Sequence, residues 1–231
     1  VDKISVQGLH QFNAFEYNVP GDISSAAFFI VLTLLSKKSQ IIIENVNVNK
    51  SRIGIIKILN KMGAGIQLKE KRNYNGELIA NISVKGKNNL KAVNCPSKLN
   101  SAAIDEFLII FLVAAKARWV SKFKELGEMN KKESKRLDLV VQFLRLIGIK
   151  VERFKNNINI HGNPNLVLSS NFEIKNFLKD HRIFFLSCIT ALTIGGNWKI
   201  NDTKSANTSC PKFWKTNRLI GAKINWKKAK L

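Results

Sequence analysis

Cysteine, histidine and long apolar runs are scarce in this sequence, and their scarcity argues against several classes of protein. Three cysteines occur in 231 residues without a CxxC pair, which indicates a reducing cytoplasm and not a disulfide-stapled secreted fold. The three histidines are scattered, so no zinc site is expected. The apolar runs fall short of the roughly 20 residues that a membrane-spanning helix needs, and no signal peptide is recognisable. We therefore expect a cytoplasmic protein without a membrane partner.

Acidic residues are also in short supply, since 16 Asp and Glu face 38 Lys and Arg and leave a net charge of +22. Such a charge favours a polyanionic partner: nucleic acid, an acidic membrane, or a phosphorylated or carboxylated small molecule. The lysines are spread along the chain and form no single patch. This spread indicates that the charge reflects the general composition of the chain, together with a site for an anionic small molecule. We expect no nucleic-acid partner, and a basic nucleic-acid-binding protein is the alternative.

A short sequence motif, which we call the glycine phrase, recurs three times. In each copy a helical segment ends in glycine and a β-prone run follows. Its copies are ILNKMGAGI at residues 58–66, FLRLIGIKV at residues 143–151 and NRLIGAKI at residues 217–224. The glycine of each copy fits the left-handed residue that ends many helices. These glycines are Gly63, Gly148 and Gly221.

The same order of elements precedes each glycine phrase. A nearly all-apolar helix comes first, at residues 25–35, 104–117 and 183–194, and a strand, a polar turn and an amphipathic helix follow. A further strand closes the first two copies. A helix without a polar face must be buried on every side. The sequence therefore predicts three α/β units around buried helices, and the absence of GxGxxG argues against a doubly wound dinucleotide-binding fold.

Polar residues stand at the start of each apolar helix, where a purely structural helix would not need them. They are Asp22, Ser24, Asp105, Glu106, Asp180, His181 and Arg182. N-capping accounts for Asp22 and Ser24. It does not account for Arg182, because a cation at a helix N-terminus is unfavourable. Three convergent helix N-termini would form an anion site, to which Arg182 would add a bidentate guanidinium.

The densest polar cluster is EMNKKESKRLDLV, at residues 128–140. A run of Lys, Glu and Arg is typical of a solvated turn. The functional alternative is that Lys132, Glu133 and Arg136 line one wall of a site. Lys132 and Arg136 are four residues apart and share a face once the helix has begun. Between them, Glu133 could transfer a proton beside an anionic substrate.

Five stretches carry a resemblance to a known family: VPGDISSAAFF, IDEF, KKESKRL, DHRI and ANTSCPKFW. They occur in the order and spacing of the 5-enolpyruvylshikimate-3-phosphate (EPSP) synthase family, whose C-terminal half this chain resembles over essentially all 231 residues. The resemblance implies an α/β (α+β), enolpyruvyl transferase-like domain of three βαβαββ-type repeats with buried central helices. It also implies that residues 1–20 are the end of the N-terminal domain or the interdomain crossover, and that residues 21–231 form the C-terminal domain.

The family transfers the enolpyruvyl group of phosphoenolpyruvate to the 5-hydroxyl of shikimate 3-phosphate, a step toward chorismate and the aromatic amino acids, without a metal or organic cofactor. The resemblance implies three catalytic residues. Asp105 resembles the carboxylate that contacts the sugar hydroxyl and can take its proton. Glu133 resembles the acid and base that serves the methylene carbon of phosphoenolpyruvate. Lys132 resembles a contact to the shikimate phosphate that assists proton transfer.

The implied substrate-binding residues are Asp105, Glu128, Lys132, Arg136 and Arg182. Among them, Arg136 and Arg182 resemble the pair that binds phosphoenolpyruvate. The sequence departs from the family's usual ELRVKESDR, because Asn130 stands in place of an arginine and Lys135 in place of an aspartate. Lys135 removes a carboxylate that could neutralise neighbouring cations, and the resulting like-charge crowding around Lys132 could loosen the loop.

The N-terminal half of the family supplies a first substrate lysine, a glycine-rich phosphoenolpyruvate loop and serine–glutamine shikimate contacts, none of which is in this sequence. The sequence also begins with Val1. We therefore expect a truncated or split half that needs an N-terminal half as its partner and turns over little or nothing alone. A non-catalytic remnant is the further alternative.

Overall fold

The computed structural model describes residues 3, 5–9, 11, 13–132, 134–174, 180–201 and 209–222. The first α/β unit contains α1 (Ile23–Leu35), β1 (Gln40–Asn47), α2 (Gly54–Lys61), β2 (Gln67–Tyr74) and β3 (Glu77–Lys85). The second contains a 3₁₀ helix (Ser97–Leu99), α3 (Asn100–Ala103), α4 (Phe107–Lys116), β4 (Val120–Phe123), another 3₁₀ helix (Gly127–Lys131), α5 (Arg136–Leu146), β5 (Val151–Phe154) and β6 (Asn157–His161). The third contains β7 (Leu168–Ile174), α6 (His181–Ile194), β8 (Gly195–Ile200) and α7 (Phe213–Leu219). The expected order of elements is thus present.

The strands form one small sheet in each unit. The first sheet has the order β1-β3-β2 and the second the order β4-β6-β5, and both are antiparallel. In the third unit β7 and β8 are parallel, with α6 between them in the chain. The first two units have a counterpart of this parallel pair in single bridges, such as Gly21 with Val46 and Lys91 with Arg118. Each unit therefore starts with a strand-like segment, a helix and a parallel strand, as a βαβαββ-type repeat requires.

The three apolar helices α1, α4 and α6 form the centre of the molecule. Nine of the ten residues of α4 are buried, as are eleven of the thirteen residues of α1. All three helices pack against one another, and the rings of Phe28 and Phe185 lie 4.9 Å apart between α1 and α6. Burial of each such side chain is worth about 1.5–3 kcal/mol relative to exposure. The predicted fold, three α/β repeats around buried central helices, is confirmed.

The outer helices α2, α5 and α7 end in the same way. Gly63, Gly148 and Gly221 have φ angles of 90°, 81° and 93°. The amide of the residue after each glycine donates to the carbonyl five residues earlier, as Ala64 does to Leu59 at 3.0 Å. This is the Schellman pattern, which needs a left-handed residue and so favours glycine. The expected helix ends are confirmed, although the β-prone run after Gly221 lies mostly outside the described residues.

Helix α1 begins with an N-cap from Asp22, whose carboxylate accepts hydrogen bonds from the amides of Ser24 and Ser25. The predicted capping role of Asp22 is confirmed, but that of Ser24 is wrong. Because α1 already begins at Ile23, the amide of Ser24 donates to Asp22, and the hydroxyl of Ser24 donates to Glu106 instead.

In the part of the chain that the structure describes, no helix is both long and apolar enough to cross a membrane.

Candidate active site

The starts of the central helices lie close together, and Asp105 is at the centre of this region. Asp105 lies two residues before α4, and among the described residues four cationic groups lie within 4 Å of its carboxylate. The distances to Oδ1 are 3.3 Å from Arg136 Nη1, 3.6 Å from Arg182 Nη2 and 3.7 Å from Lys132 Nζ, and the distance to Oδ2 is 3.8 Å from Arg52 Nη1. We call these five residues the Asp105 cluster.

The cluster keeps Asp105 ionised. Partial burial by itself would raise the pKa of Asp105, but the charges of Arg182, Lys132, Arg136 and Arg52 outweigh it and hold the pKa below its ordinary value. Asp105 therefore offers a carboxylate at neutral pH. Such a group can accept a hydrogen bond from a substrate hydroxyl and take its proton in a transition state.

Arg136 is fixed by a second carboxylate. It lies in the first turn of α5 with its side chain only 2% exposed, and its Nε donates to Oδ2 of Asp180 at 3.0 Å. The hydroxyl of Ser134 donates to the same oxygen at 2.5 Å. Burial would raise the pKa of Asp180, but these hydrogen bonds and the charge of Arg136 keep the pKa below its ordinary value. The Arg136 guanidinium is thus held between Asp180 and Asp105.

Arg182 belongs to the first turn of α6 and reaches back to α4. Its Nη1 donates to the carbonyl oxygen of Asp105 at 2.8 Å, and its amide donates to Asp180, the N-cap of α6. Its Nε is buried without a hydrogen-bond partner among the described residues. A buried N–H without an acceptor is costly. An anion bound beside this guanidinium would supply one.

The loop before α5 carries two more of the predicted residues that the structure describes, and it brings only one of them to Asp105. Lys132 directly follows the 3₁₀ helix and joins the Asp105 cluster, whereas the carboxylate of Glu128 is largely exposed and pairs with Lys131 at 2.7 Å. In the described residues Glu128 is thus not brought into the cluster, and its substrate contact stays a prediction. Glu133 lies outside the described residues.

Asn130, which stands where the family usually has an arginine, has a structural role of its own. Its side-chain oxygen accepts from the amide of Leu137 at 3.0 Å, and its side-chain nitrogen donates to Asp138 at 3.1 Å. These two bonds tie the 3₁₀ helix to the first turn of α5. The loop that carries Lys132 is therefore anchored at this point, and Lys135 is exposed just before α5.

The sequence did not assign Arg52, Glu106 or Asp180 to the site. Asp180 was visible only as a helix start, and Arg52 only as a residue at the start of the first predicted amphipathic helix. No local pattern marks the contact of Arg52 with Asp105, because the two residues come from different units. The one available signal for Arg52 was its place at the start of a helix, where a cation is electrostatically unfavourable.

The charge balance of the site suits an anionic ligand. The four cations of the Asp105 cluster face two carboxylates with lowered pKa values, Asp105 and Asp180. Burial raises the pKa of the third carboxyl, that of Glu106. An excess of positive charge next to helix N-termini favours phosphate or carboxylate. Among the described residues, no three His, Cys, Asp or Glu side chains are grouped so as to hold a metal ion.

Solved structures define the class of protein to which this fold belongs. An EPSP synthase from Acinetobacter baumannii superposes with a TM-score of 0.82 at 30% identity, over 91% of this chain and 48% of that one. The enolpyruvyl transferase NikO from Streptomyces tendae gives a TM-score of 0.66 at 12% identity, which shows a common fold. The chain therefore has the fold of the enolpyruvyl transferases.

The sequence comparisons narrow this class to one family. The family model described as EPSP synthase (3-phosphoshikimate 1-carboxyvinyltransferase) matches residues 1–216. A 3-phosphoshikimate 1-carboxyvinyltransferase from Ruthia magnifica is 37% identical over 228 residues, which are 97% of this chain and 51% of that protein. Another, from Thermodesulfovibrio yellowstonii, is 33% identical over 89% of this chain and 47% of that protein.

The chain belongs to the EPSP synthase family, and the resemblance stated from the five sequence stretches is confirmed. It spans about half the length of the curated relatives that it matches. These findings give no support to the alternatives, a basic nucleic-acid-binding protein and a non-catalytic remnant.

Proposed function

We propose that this chain is the C-terminal half of a 3-phosphoshikimate 1-carboxyvinyltransferase. Residues 1–20 then form the end of the N-terminal domain or the crossover, and residues 21–231 form the C-terminal domain. The backbone supports this division, because Gly21 exchanges two hydrogen bonds with β1, through Asn45 and Asn47. Residues 13–19, in contrast, are exposed.

The Asp105 cluster is the observation that carries the proposal. The two proposed substrates, phosphoenolpyruvate and shikimate 3-phosphate, both bear phosphate and carboxylate groups. A site for them needs several cations and, beside them, a carboxylate that can take the proton of a hydroxyl group. Asp105 stays ionised among Arg52, Lys132, Arg136 and Arg182, and so combines both requirements.

The proposed reaction is an addition followed by an elimination. Asp105 takes the proton of the 5-hydroxyl while this oxygen bonds to C2 of phosphoenolpyruvate, and Glu133 delivers a proton to the methylene carbon. Lys132 contacts the shikimate phosphate and assists proton transfer, whereas Arg136 and Arg182 bind phosphoenolpyruvate. The tetrahedral intermediate then loses phosphate and a proton of the new methyl group, which restores the double bond.

The proposal includes a partner and a location. An N-terminal half of the same enzyme completes the site, since the chain spans about half of its relatives. The orphaned Nε of Arg182 agrees with a site that is completed by another group. The reaction uses no metal or organic cofactor, and it takes place in the cytoplasm.

The test is reconstitution. This chain is mixed with the N-terminal half of the Ruthia magnifica relative, and phosphate release from phosphoenolpyruvate is measured with and without shikimate 3-phosphate. We expect release that needs both substrates and both halves. Fast release by this chain alone would contradict the requirement for a partner. A tight complex of the two halves that releases no phosphate would contradict the proposed reaction.

Two variants make the reconstitution specific to the site. Replacing Asp105 with asparagine should lower the rate by about 10²–10⁴-fold, the usual contribution of a general base. The matched control is Arg118→Gln, because Arg118 is exposed, bonds to Asn89 and follows the opposite end of α4. Its rate should equal that of the wild type.

A further inference from the structure

A chain of hydrogen bonds connects three segments around Asp105. The hydroxyl of Ser24, in the first turn of α1, donates to Oε1 of Glu106 at 2.5 Å and accepts from Nη2 of Arg52 at 3.2 Å. Nη1 of the same guanidinium lies 3.8 Å from Oδ2 of Asp105. Ser24 and Glu106 are buried, with 7% and 3% exposure. Two buried side chains thus stand behind a half-exposed arginine.

The geometry of a hydroxyl group explains why this arrangement is directional. Ser24 has a single O–H proton, and the bond to Glu106 uses it. The lone pairs of its oxygen then remain for an outside donor, and Arg52 is that donor. Glu106 is buried directly before α4, and its carboxylate accepts the proton of the Ser24 hydroxyl. The position of Glu106 therefore sets the orientation of this hydroxyl. An apolar residue at position 106 would leave the hydroxyl free to rotate.

Arg52 also differs from the other cations in the oxygen that it approaches. Of the two carboxylate oxygens of Asp105, Oδ1 is the one that Lys132, Arg136 and Arg182 approach, whereas Arg52 approaches Oδ2. With charge on both sides, the carboxylate has a defined plane. An arginine that is half exposed would otherwise sample many rotamers, so its bond to Ser24 matters for this role.

We propose that Arg52 is a positioning residue that orients Asp105, and that the buried pair Ser24–Glu106 holds Arg52 in place. This inference rests on the proposed function in one respect, namely that the orientation of Asp105 matters for catalysis. The contact of Arg52 with Asp105 can be tested without any turnover.

The first test measures the titration of Asp105 in this chain. The sequence has six aspartates, so a sample labelled with ¹³C at the aspartate carboxyl carbons gives few signals, and Asp105→Asn assigns the relevant one. In the part of the chain that the structure describes, the charged groups that face this carboxyl are Arg52, Glu106, Lys132, Arg136 and Arg182. Arg52→Gln removes one of the cations that lower the pKa of Asp105 and should therefore raise the midpoint.

Three further variants separate charge from position. Arg52→Lys keeps the charge and should keep most of the wild-type midpoint. Ser24→Ala removes the anchor and should raise the midpoint by less than Arg52→Gln does. The control Arg118→Gln should leave it unchanged. Equal midpoints for Arg52→Gln and Arg118→Gln would overturn the proposal. Equal midpoints for Ser24→Ala and the wild type would overturn the role of the buried pair.

The second test uses the reconstituted enzyme. Arg52→Gln should lower kcat by about tenfold with little change in KM, move the acidic limb of the pH profile upward, and be partly rescued by Arg52→Lys. A rise in KM alone would overturn the positioning role. If the wild-type reconstitution releases no phosphate, the proposed function fails, while the titration still decides whether Arg52 acts on Asp105.

Discussion

Replacement of Asp180 with alanine should destabilise the chain strongly, because it leaves the buried charge of Arg136 without a carboxylate that it contacts. The side chains of Arg136 and Asp180 are 2% and 1% exposed, and Nε lies 3.0 Å from Oδ2. Removal of one partner from such a pair costs about 3–5 kcal/mol. Asp180 also caps α6, which is worth about 1 kcal/mol. Since both losses concern one carboxylate, we expect the free energy of unfolding to fall by about 4 kcal/mol.

Urea unfolding of the wild type, Asp180→Ala and Asp180→Asn measures this loss. Asparagine keeps the cap acceptor but not the charge, so Asp180→Asn should lose about half as much. The pH dependence has a defined sign. The pKa of Asp180 is lowered in the folded state, so its contribution is complete above the unfolded pKa of about 3.9 and is lost as the pH falls through the folded value. A loss below about 1 kcal/mol for Asp180→Ala at pH 7 would refute this reasoning.

Three other predictions concern the loop, the ligand and the backbone. Asn130→Ala should destabilise the chain by about 1 kcal/mol and lower kcat/KM of the reconstituted enzyme, whereas unchanged kcat/KM would mean that the loop needs no anchor. Asp105→Asn should tighten binding of inorganic phosphate to the chain about threefold or more, by calorimetry, because a negative charge leaves the cluster; weaker binding would contradict the anion site. In urea unfolding, Gly162→Ala should lower the free energy of unfolding by several kcal/mol, because the new Cβ would lie 2.1 Å from the carbonyl oxygen of Ala117. Gly148→Ala should lower it by only about 1 kcal/mol, because the new Cβ has open space and only the positive φ is strained. Equal costs would contradict that distinction.

Part of the site could be predicted because its residues stand in short, ordered motifs. Asp105, Lys132, Arg136 and Arg182 were named from such motifs, and the structure brings these four together. Their grouping agrees with the prediction, and their catalytic and binding roles stay predictions. Glu128 was named from its place in the same loop, but the structure pairs it with Lys131.

The remaining members of the site could not be found in this way. Ser24 and Glu106 are 82 residues apart, and their hydrogen bond forms only when α1 packs against α4. Ser24 was therefore assigned to the local cap, which Asp22 alone provides. Asn130 was noted only as a departure from the family's usual arginine, and its two hydrogen bonds to α5 could not be read from the sequence.

The sequence by itself determined the three repeats, the buried helices and the left-handed glycines, because an apolar stripe and a positive φ are properties of a few neighbouring residues. Only the tertiary structure decided which charges face one another. The Asp105 cluster and the Ser24–Glu106–Arg52 hydrogen bonds join segments from different repeats. Electrostatic contacts act through space over a few ångströms, and no local pattern records which distant segment will supply the partner.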